Sequence, residues 1–105
     1  MKEHNPRIEC KDGFTISVQG RDGAYCLPRE DYPDTPYTHV ECGYPETGTG
    51  IGVTVLTKGL REYFDGGVYP YVPIAIVQAE LDAHGGIVEG RFPSNEKGFD
   101  FADWK

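Results

Sequence analysis

Closely spaced turn signals constrain the fold of this chain more than any other feature of its sequence. Asp-Gly occurs in Lys11-Asp12-Gly13 and in Arg21-Asp22-Gly23, and two further glycine turns follow at Asp65-Gly66-Gly67 and Gly85-Gly86. Asp-Gly between extended segments is a strong local signal for a β-hairpin, because both residues readily adopt the backbone angles of tight turns. The turns therefore divide much of the chain into short segments, several of which suit β-strands.

Alternation of apolar and polar residues predicts where these strands lie. Residues 7–10 and 14–19 flank the first turn and predict a hairpin, in which Phe14, Ile16 and Val18 share one face of the second strand. The other strands are predicted over residues 24–27, 37–42, 50–57, 68–72 and 87–92, with loops over residues 28–36 and 43–50 and a polar break over residues 93–97. Residues 37–42 and 50–57 are expected to form a second strand pair. Pro28 is expected to end the strand over residues 24–27 or to confine it to an edge.

One helix is predicted at about residues 73–84. Pro73 suits the first helical position, and Val77 and Leu81 recur at helical spacing before the glycine pair that ends the helix. His84 then lies near the negative pole of the helix dipole. Because runs of strands precede a single helix, the predicted fold class is α+β, a mostly antiparallel β-sheet with one covering α-helix. A length of 105 residues allows one core, so the whole chain is interpreted as a single domain.

The charge of the chain limits its partners. Seventeen Asp and Glu residues against ten Lys and Arg residues give a net charge of −7 at pH 7. Hydrophobic residues make up 38% and charged residues 26%, which is too hydrophobic for a disordered acidic chain and too polar for a membrane protein. A negative field repels nucleic-acid backbones and anionic lipid, and it steers the protein toward basic surfaces. With no signal-peptide pattern at the start, we expect a cytoplasmic protein with no direct nucleic-acid partner and no membrane partner.

Acidic residues are interleaved with prolines and with several of the seven tyrosines, which indicates a contact surface. Tyrosine supplies contact area at low entropic cost, and carboxylates beside it suit a basic protein partner. An alternative is that these rings complete a small core, with their hydroxyls at its rim. The predicted partner-binding residues are Glu30, Asp31, Tyr32, Asp34, Tyr37, Glu41, Tyr44, Glu46, Asp100, Asp103 and Trp104. The last three belong to residues 98–105, which predict either an edge strand or a tail that docks into a groove.

Patterns that could carry chemistry are weak. Gly48-Thr49-Gly50-Ile51-Gly52 has the glycines of a phosphate-binding loop but leads into a predicted strand, so it is interpreted as a hairpin loop. The carboxylates of Glu41, Glu46, Glu80 and Asp82 could form an acid pair, although a solvated face is the preferred interpretation. We therefore predict no catalytic residue and no cofactor.

The three cysteines are expected to be reduced and buried. Cys10, Cys26 and Cys42 are an odd number without a secretion signal, which argues against a disulfide framework. A zinc site normally shows closely spaced ligand pairs, and only His39 and Cys42 lie near each other in sequence, so no metal is predicted. A cysteine hydrolase that pairs Cys26 or Cys42 with His39 remains a third functional hypothesis.

Four segments of the sequence invite a comparison with known proteins: residues 8–19, Tyr25-Cys26-Leu27-Pro28-Arg29, residues 36–41, and Tyr71-Val72-Pro73 leading to His84-Gly85-Gly86-Ile87. These segments resemble a family of small uncharacterised proteins encoded in phages and prophages. The likeness covers about residues 8 to 87, and residues 43–68 and the chain beyond Ile87 depart from it. The family has no assigned activity, so the resemblance implies none for this chain. It implies a protein similar in character to anti-CRISPR and other anti-defence proteins, many of which block a host complex by occupying a basic nucleic-acid channel.

The leading hypothesis is therefore an inhibitory binding protein, in which carboxylates imitate phosphates and tyrosines anchor the contact with a basic host protein or complex. The alternative is a structural or accessory phage protein that forms a homo-oligomer through exposed strand edges.

Overall fold

The computed structural model describes residues 2–47 and 56–97, and within them the strands form a five-stranded antiparallel sheet. In chain order the elements are β1 (Ile8–Cys10), β2 (Thr15–Gln19), β3 (His39–Glu46), α1 (Lys58–Arg61), β4 (Val68–Pro73), α2 (Ile74–Ala83) and β5 (Ile87–Glu89). The sheet order is β4-β3-β2-β1-β5, so β1 to β4 are sequential neighbours and β5 returns to pair with β1. The predicted α+β class is confirmed.

The first hairpin forms where Asp12-Gly13 predicted it. Ile8 pairs with Ile16 across the two strands, and Gly13 turns the chain at a φ of 92°. The Asp12 carboxylate accepts a hydrogen bond of 2.9 Å from the backbone N–H of Phe14, which closes the turn. Phe14, Ile16 and Val18 are all buried, as their alternation predicted.

The helix α2 also agrees closely with the sequence prediction. Pro73 is its N-cap and His84 its C-cap, and Val77 and Leu81 are fully buried. These two side chains join one core with the inward residues of the sheet, the loop between β2 and β3, and α1. The buried hydrophobic residues are Ile8, Cys10, Phe14, Ile16, Val18, Ala24, Cys26, Tyr37, Val40, Cys42, Leu56, Leu60, Tyr69, Val72, Val77 and Leu81.

The strand predictions over residues 24–27 and 37–42 are wrong in extent or pairing. Residues 24–27 form only an isolated bridge between Leu27 and His39, because Ala24 and Cys26 pack into the core and the Tyr25 amide bonds to a side chain. The loop predicted to begin at residue 43 begins later, because β3 continues to Glu46. β3 pairs with β2 on one side and with β4 on the other. Residues 50–55 of the predicted partner strand lie outside the described residues.

The short helix α1 was not predicted, and β5 is shorter than predicted. Thr57, expected in a strand, caps α1 instead, and Leu60 of α1 is fully buried. Four helical residues are too few to show a periodic pattern. After β5, Gly90 has a φ of 89° and lies so close to β1 that a Cβ there would meet the Arg7 carbonyl oxygen at 3.0 Å.

Two β-bulges place tyrosines in unusual backbone conformations. Between the pairs Thr15–Glu46 and Ser17–Gly43, β2 advances by two residues and β3 by three. Between the pairs Val40–Val72 and Cys42–Tyr69, β3 advances by two residues and β4 by three. The extra residues adjoin prolines, and Tyr44 and Tyr71 have φ values of 51° and 52°. Both tyrosines therefore adopt the left-handed region that non-glycine residues rarely occupy. No helix within the described ranges is long and apolar enough to cross a membrane.

Candidate partner-binding surface

A shallow groove between two tyrosines is the most distinctive exposed feature of the described chain. The ring centroids of Tyr25 and Tyr71 lie 5.9 Å apart with the planes tilted by 47°, and 44% and 39% of these residues remain exposed. The groove has a volume of about 330 Å³. Its lining residues are Tyr25, Asp65, Gly66, Val68, Pro70 and Tyr71.

The fold holds both tyrosines in place through their backbones. The Tyr71 N–H donates to the Tyr25 carbonyl oxygen at 3.0 Å, and the Tyr25 N–H donates to the Glu41 carboxylate at 2.8 Å. The Arg29 guanidinium lies 5.1 Å from the centroid of the Tyr25 ring. A non-glycine residue in the left-handed region costs on the order of 1–3 kcal/mol. Tyr71 is thus kept in a costly conformation while its ring stays partly in solvent.

A second tyrosine is displayed at the bulge in β3. Tyr44 is 67% exposed, and Arg7 donates hydrogen bonds to its carbonyl oxygen and to Thr15 Oγ1. Further aromatic surface is contributed by Phe64, which stacks edge-on against Tyr69 with centroids 5.2 Å apart. Exposed large apolar side chains grouped with polar neighbours are typical of interaction surfaces.

The predicted acidic residues differ in how freely they can reach a partner. Glu30, Asp34 and Glu46 are exposed, so their charges face solvent. Asp31 is half-buried and accepts from the backbone N–H of Asp22 at 2.9 Å and of Lys2 at 3.3 Å. The bond from the Asp22 amide is the main reason that the pKa of Asp31 falls below its ordinary value. Asp31 therefore has a structural role within its loop.

Tyr37 belongs to the core and is not part of the exposed surface. It is 6% exposed, and its hydroxyl lies 2.7 Å from the carbonyl oxygens of Glu30 and Asp31. The buried Lys2 ammonium donates to Tyr37 at 3.2 Å and to Gly20 O at 2.8 Å, and it also donates to Ser94 O. We therefore remove Tyr37 from the contact surface. Tyr32, also half-buried, has its ring 5.5 Å from the same ammonium.

The structure brings only part of the predicted set together. Glu41 lies against Tyr25 at the end of β3 that pairs with Gln19, whereas Glu46 pairs with Thr15 at the other end, near Tyr44. Asp100, Asp103 and Trp104 lie outside the described residues, as do the tail over residues 98–105 and the glycine run over residues 48–52. Tyr25, Asp65 and Tyr71 are not predicted as a group from the sequence, although the proline before Tyr71 is a signal for a bulge.

A buried histidine–carboxylate network forms a second polar cluster. Glu80 is fully buried, and its Oε1 accepts from Thr57 N–H and Thr57 Oγ1–H, both at 2.8 Å. Its Oε2 lies 2.8 Å from His84 Nε2, and His84 Nδ1 lies 2.7 Å from Asp12 Oδ2. The His84 ring stacks on Phe14 with centroids 3.8 Å apart. The preferred interpretation of Glu80 as part of a solvated face is wrong, because its carboxyl group is buried and has hydrogen-bond partners at both oxygens.

This network joins the turn between β1 and β2, the N-cap of α1 and the C-terminal part of α2. Its geometry does not suit a general acid or base. Bonds to Phe14 N–H and to His84 lower the pKa of Asp12. Both ring nitrogens of His84 contact carboxylates, so neither is free to accept a proton from a nucleophile. A shallow depression of about 300 Å³ beside the network is lined by Asp12, Leu56, Thr57, Glu80, Ala83 and His84.

The cysteines are all buried and free, as their number predicted. Burial raises the pKa of Cys42 to about 12 and that of Cys10 to about 11, and burial also raises the pKa of Cys26. Such thiols stay protonated at neutral pH and are poor nucleophiles, which argues against the hydrolase hypothesis. His39 Nδ1 lies 2.9 Å from Thr38 Oγ1. The described residues contain no cluster of three or more side chains that could hold a metal ion.

Comparisons with protein families, with curated proteins and with solved structures find no match for this chain.

Proposed function

We propose that this protein is a small acidic binding protein that inhibits a host nucleic-acid-handling complex, such as a CRISPR or other anti-phage defence complex, from within the cytoplasm. It binds a basic surface of the complex through its acidic, tyrosine-rich surface and so takes the place of nucleic acid. The observation that carries the proposal is the exposed Tyr25–Tyr71 pair, which the fold holds open at the cost of a strained backbone at Tyr71.

Charge supports the choice of a basic partner. A net charge of −7 steers the protein toward positive surfaces, and the exposed carboxylates of Glu30, Asp34 and Glu46 are free to take part. Tyrosine is enriched among the residues that contribute most to binding energy at interfaces. Steering by carboxylates and anchoring by tyrosines together suit a competitor for a nucleic-acid channel.

The proposal is tested by the rate at which the protein associates with the basic protein recovered by affinity capture. Neutralising Glu30 and Asp34 together, as Glu30→Gln and Asp34→Asn, is expected to slow association several-fold at low salt, because long-range attraction acts on encounter. A matched control neutralises two other exposed carboxylates, Glu89→Gln and Glu96→Gln. Surface plasmon resonance measures both. Equal association rates for the two double variants would contradict a specific role for Glu30 and Asp34.

The alternative, a self-associating accessory protein, is favoured by one observation. All three residues of β5 are exposed at an edge of the sheet, and Val88 is among them. However, β5 is very short, and the opposite edge strand β4 contains Pro70 and Pro73, features that protect edges from pairing. Light scattering separates the two proposals, because the inhibitor is expected to be a monomer and the accessory protein a closed oligomer.

A further inference from the structure

We infer that the groove between Tyr25 and Tyr71 is a pocket for the guanidinium group of an arginine side chain on a basic protein partner. The inference rests on the proposed function and adds the chemical group that this part of the surface recognises. It is carried by three features of the groove: its two tyrosines, the acidic residue in its lining and the backbone hydrogen bonds that hold these residues in place.

The aromatic walls suit a planar cation. A guanidinium over a tyrosine ring within about 6 Å of the centroid is attracted by the electrons of the ring face, by roughly 0.5–2 kcal/mol. The chain already contains such a contact, because Arg29 lies 5.1 Å from the centroid of Tyr25. The Tyr25 and Tyr71 rings, tilted by 47° to each other, belong to residues that both line the groove.

The carboxylate of Asp65 gives the groove its charge preference. Asp65 lines the groove at a tight turn, where its backbone N–H donates to Val68 O at 2.8 Å and its carbonyl oxygen accepts from Val68 N–H at 3.3 Å. The next residue, Gly66, allows this turn through its φ of 61°. A carboxylate beside an aromatic face can bind a guanidinium through two parallel hydrogen bonds while the rings stack on its plane.

Arginine fits these features better than other side chains. Lysine carries a compact, strongly hydrated charge that cannot form a bidentate hydrogen bond with a carboxylate, whereas the planar guanidinium of arginine forms this bond and also stacks on aromatic rings. An apolar side chain could pack against the two rings but would form no ion pair with the Asp65 carboxylate. The net charge of −7 attracts a basic segment and repels an acidic one.

The test is a nuclear magnetic resonance titration of the full chain with two short glycine–serine peptides. One peptide carries a single central arginine, and the other carries citrulline, which has nearly the same shape without the charge. The arginine peptide is expected to shift the backbone signals of Tyr25, Asp65, Val68 and Tyr71 in a saturable way. The citrulline peptide is expected to bind about tenfold more weakly, because it lacks the ionic hydrogen bond and the cation–π attraction.

Two variants and a matched control make the test specific. Asp65→Asn removes the charge, and Tyr71→Asn removes the ring at a left-handed position that asparagine tolerates. The control, Tyr44→Asn, makes the same change at the other left-handed tyrosine. Asp65→Asn and Tyr71→Asn are each expected to weaken binding of the arginine peptide about tenfold, and Tyr44→Asn is expected to bind like the wild type.

Equal affinity for the two peptides, or equal binding by Tyr71→Asn and Tyr44→Asn, overturns the arginine pocket. The inference and the proposed function can fail separately. A basic partner that is retained equally by wild type, Asp65→Asn and Tyr71→Asn overturns the pocket and leaves the proposed function standing. Specific binding of the arginine peptide without any captured partner supports the pocket and contradicts the proposed function.

Discussion

At the scale of single residues, the fold depends on polar groups that are buried and paired. Glu80 is fully buried among apolar side chains, and it is accommodated because Thr57 and His84 provide hydrogen-bond partners for both of its oxygens. The sequence could show only that Glu80 and His84 are four residues apart on a helix. It could not show that Thr57 and Asp12, from distant segments, complete the network.

Glu80→Ala is expected to lower the free energy of unfolding by about 3 kcal/mol, because it leaves the Thr57 and His84 groups buried without a partner. Glu80→Gln is expected to cost less, since an amide oxygen can still accept from Thr57 and the side chain keeps nearly the same shape beside His84. Asp82→Ala on the same helix is the control, because Asp82 is exposed and its carboxylate bonds to Gln78. Urea unfolding measures all three. A cost for Glu80→Ala no larger than that for Asp82→Ala would contradict the network's importance.

Asp12 predicts a pH dependence with a definite sign. Its folded-state pKa is lowered by bonds from the Phe14 amide and from His84, so the ionised carboxylate stabilises the fold above its unfolded pKa of about 3.9. That contribution is lost as the pH falls through the lower folded-state pKa. In urea unfolding from pH 7 to pH 2, the wild type is therefore expected to lose its advantage over Asp12→Asn at the acidic end. A difference that does not change with pH contradicts this account.

At the scale of elements, the sequence predicted structures that depend on local signals and missed those that depend on distant contacts. The first hairpin, β4 and α2 were predicted because Asp12-Gly13, Asp65-Gly66-Gly67 and Pro73 act locally. The bulges in β3 and β4 and the absence of a strand over residues 24–27 follow from how the sheet neighbours pair. The N-terminal segment is another such case, since Lys2 is buried against residues far along the chain.

Lys2→Met is expected to lower the free energy of unfolding by about 2 kcal/mol, because it leaves the carbonyl oxygens of Gly20 and Ser94 without their donor. It is also expected to expose the loop over residues 28–36 to limited proteolysis, because Tyr37 loses a contact. Lys58→Met, at an exposed lysine in α1, is the matched control. If both variants unfold at the same urea concentration as the wild type, the N-terminal anchor has no energetic role.

At the scale of the whole molecule, the composition predicts an acidic contact surface that contains tyrosines, and it does not predict where the residues of such a surface lie. An acidic chain with seven tyrosines indicated a contact surface for a basic partner. The structure places Tyr37 in the core and assembles Tyr25, Asp65 and Tyr71 from a loop, a turn and a strand edge. No local pattern joins these residues, because the order of strands and the bulge in β4 bring them together.

The central claim, that this surface binds a basic protein, is tested most directly by affinity capture from nuclease-treated bacterial lysate. Three baits are compared: wild type, the double variant Glu30→Gln/Asp34→Asn, and the control Glu89→Gln/Glu96→Gln. Bound proteins are eluted with increasing salt and identified by mass spectrometry. We predict one basic, nucleic-acid-handling protein in stoichiometric amount on wild type and the control, and its release at a lower salt concentration from Glu30→Gln/Asp34→Asn. Recovery of the bait alone, or release from all three baits at the same salt concentration, would contradict the claim.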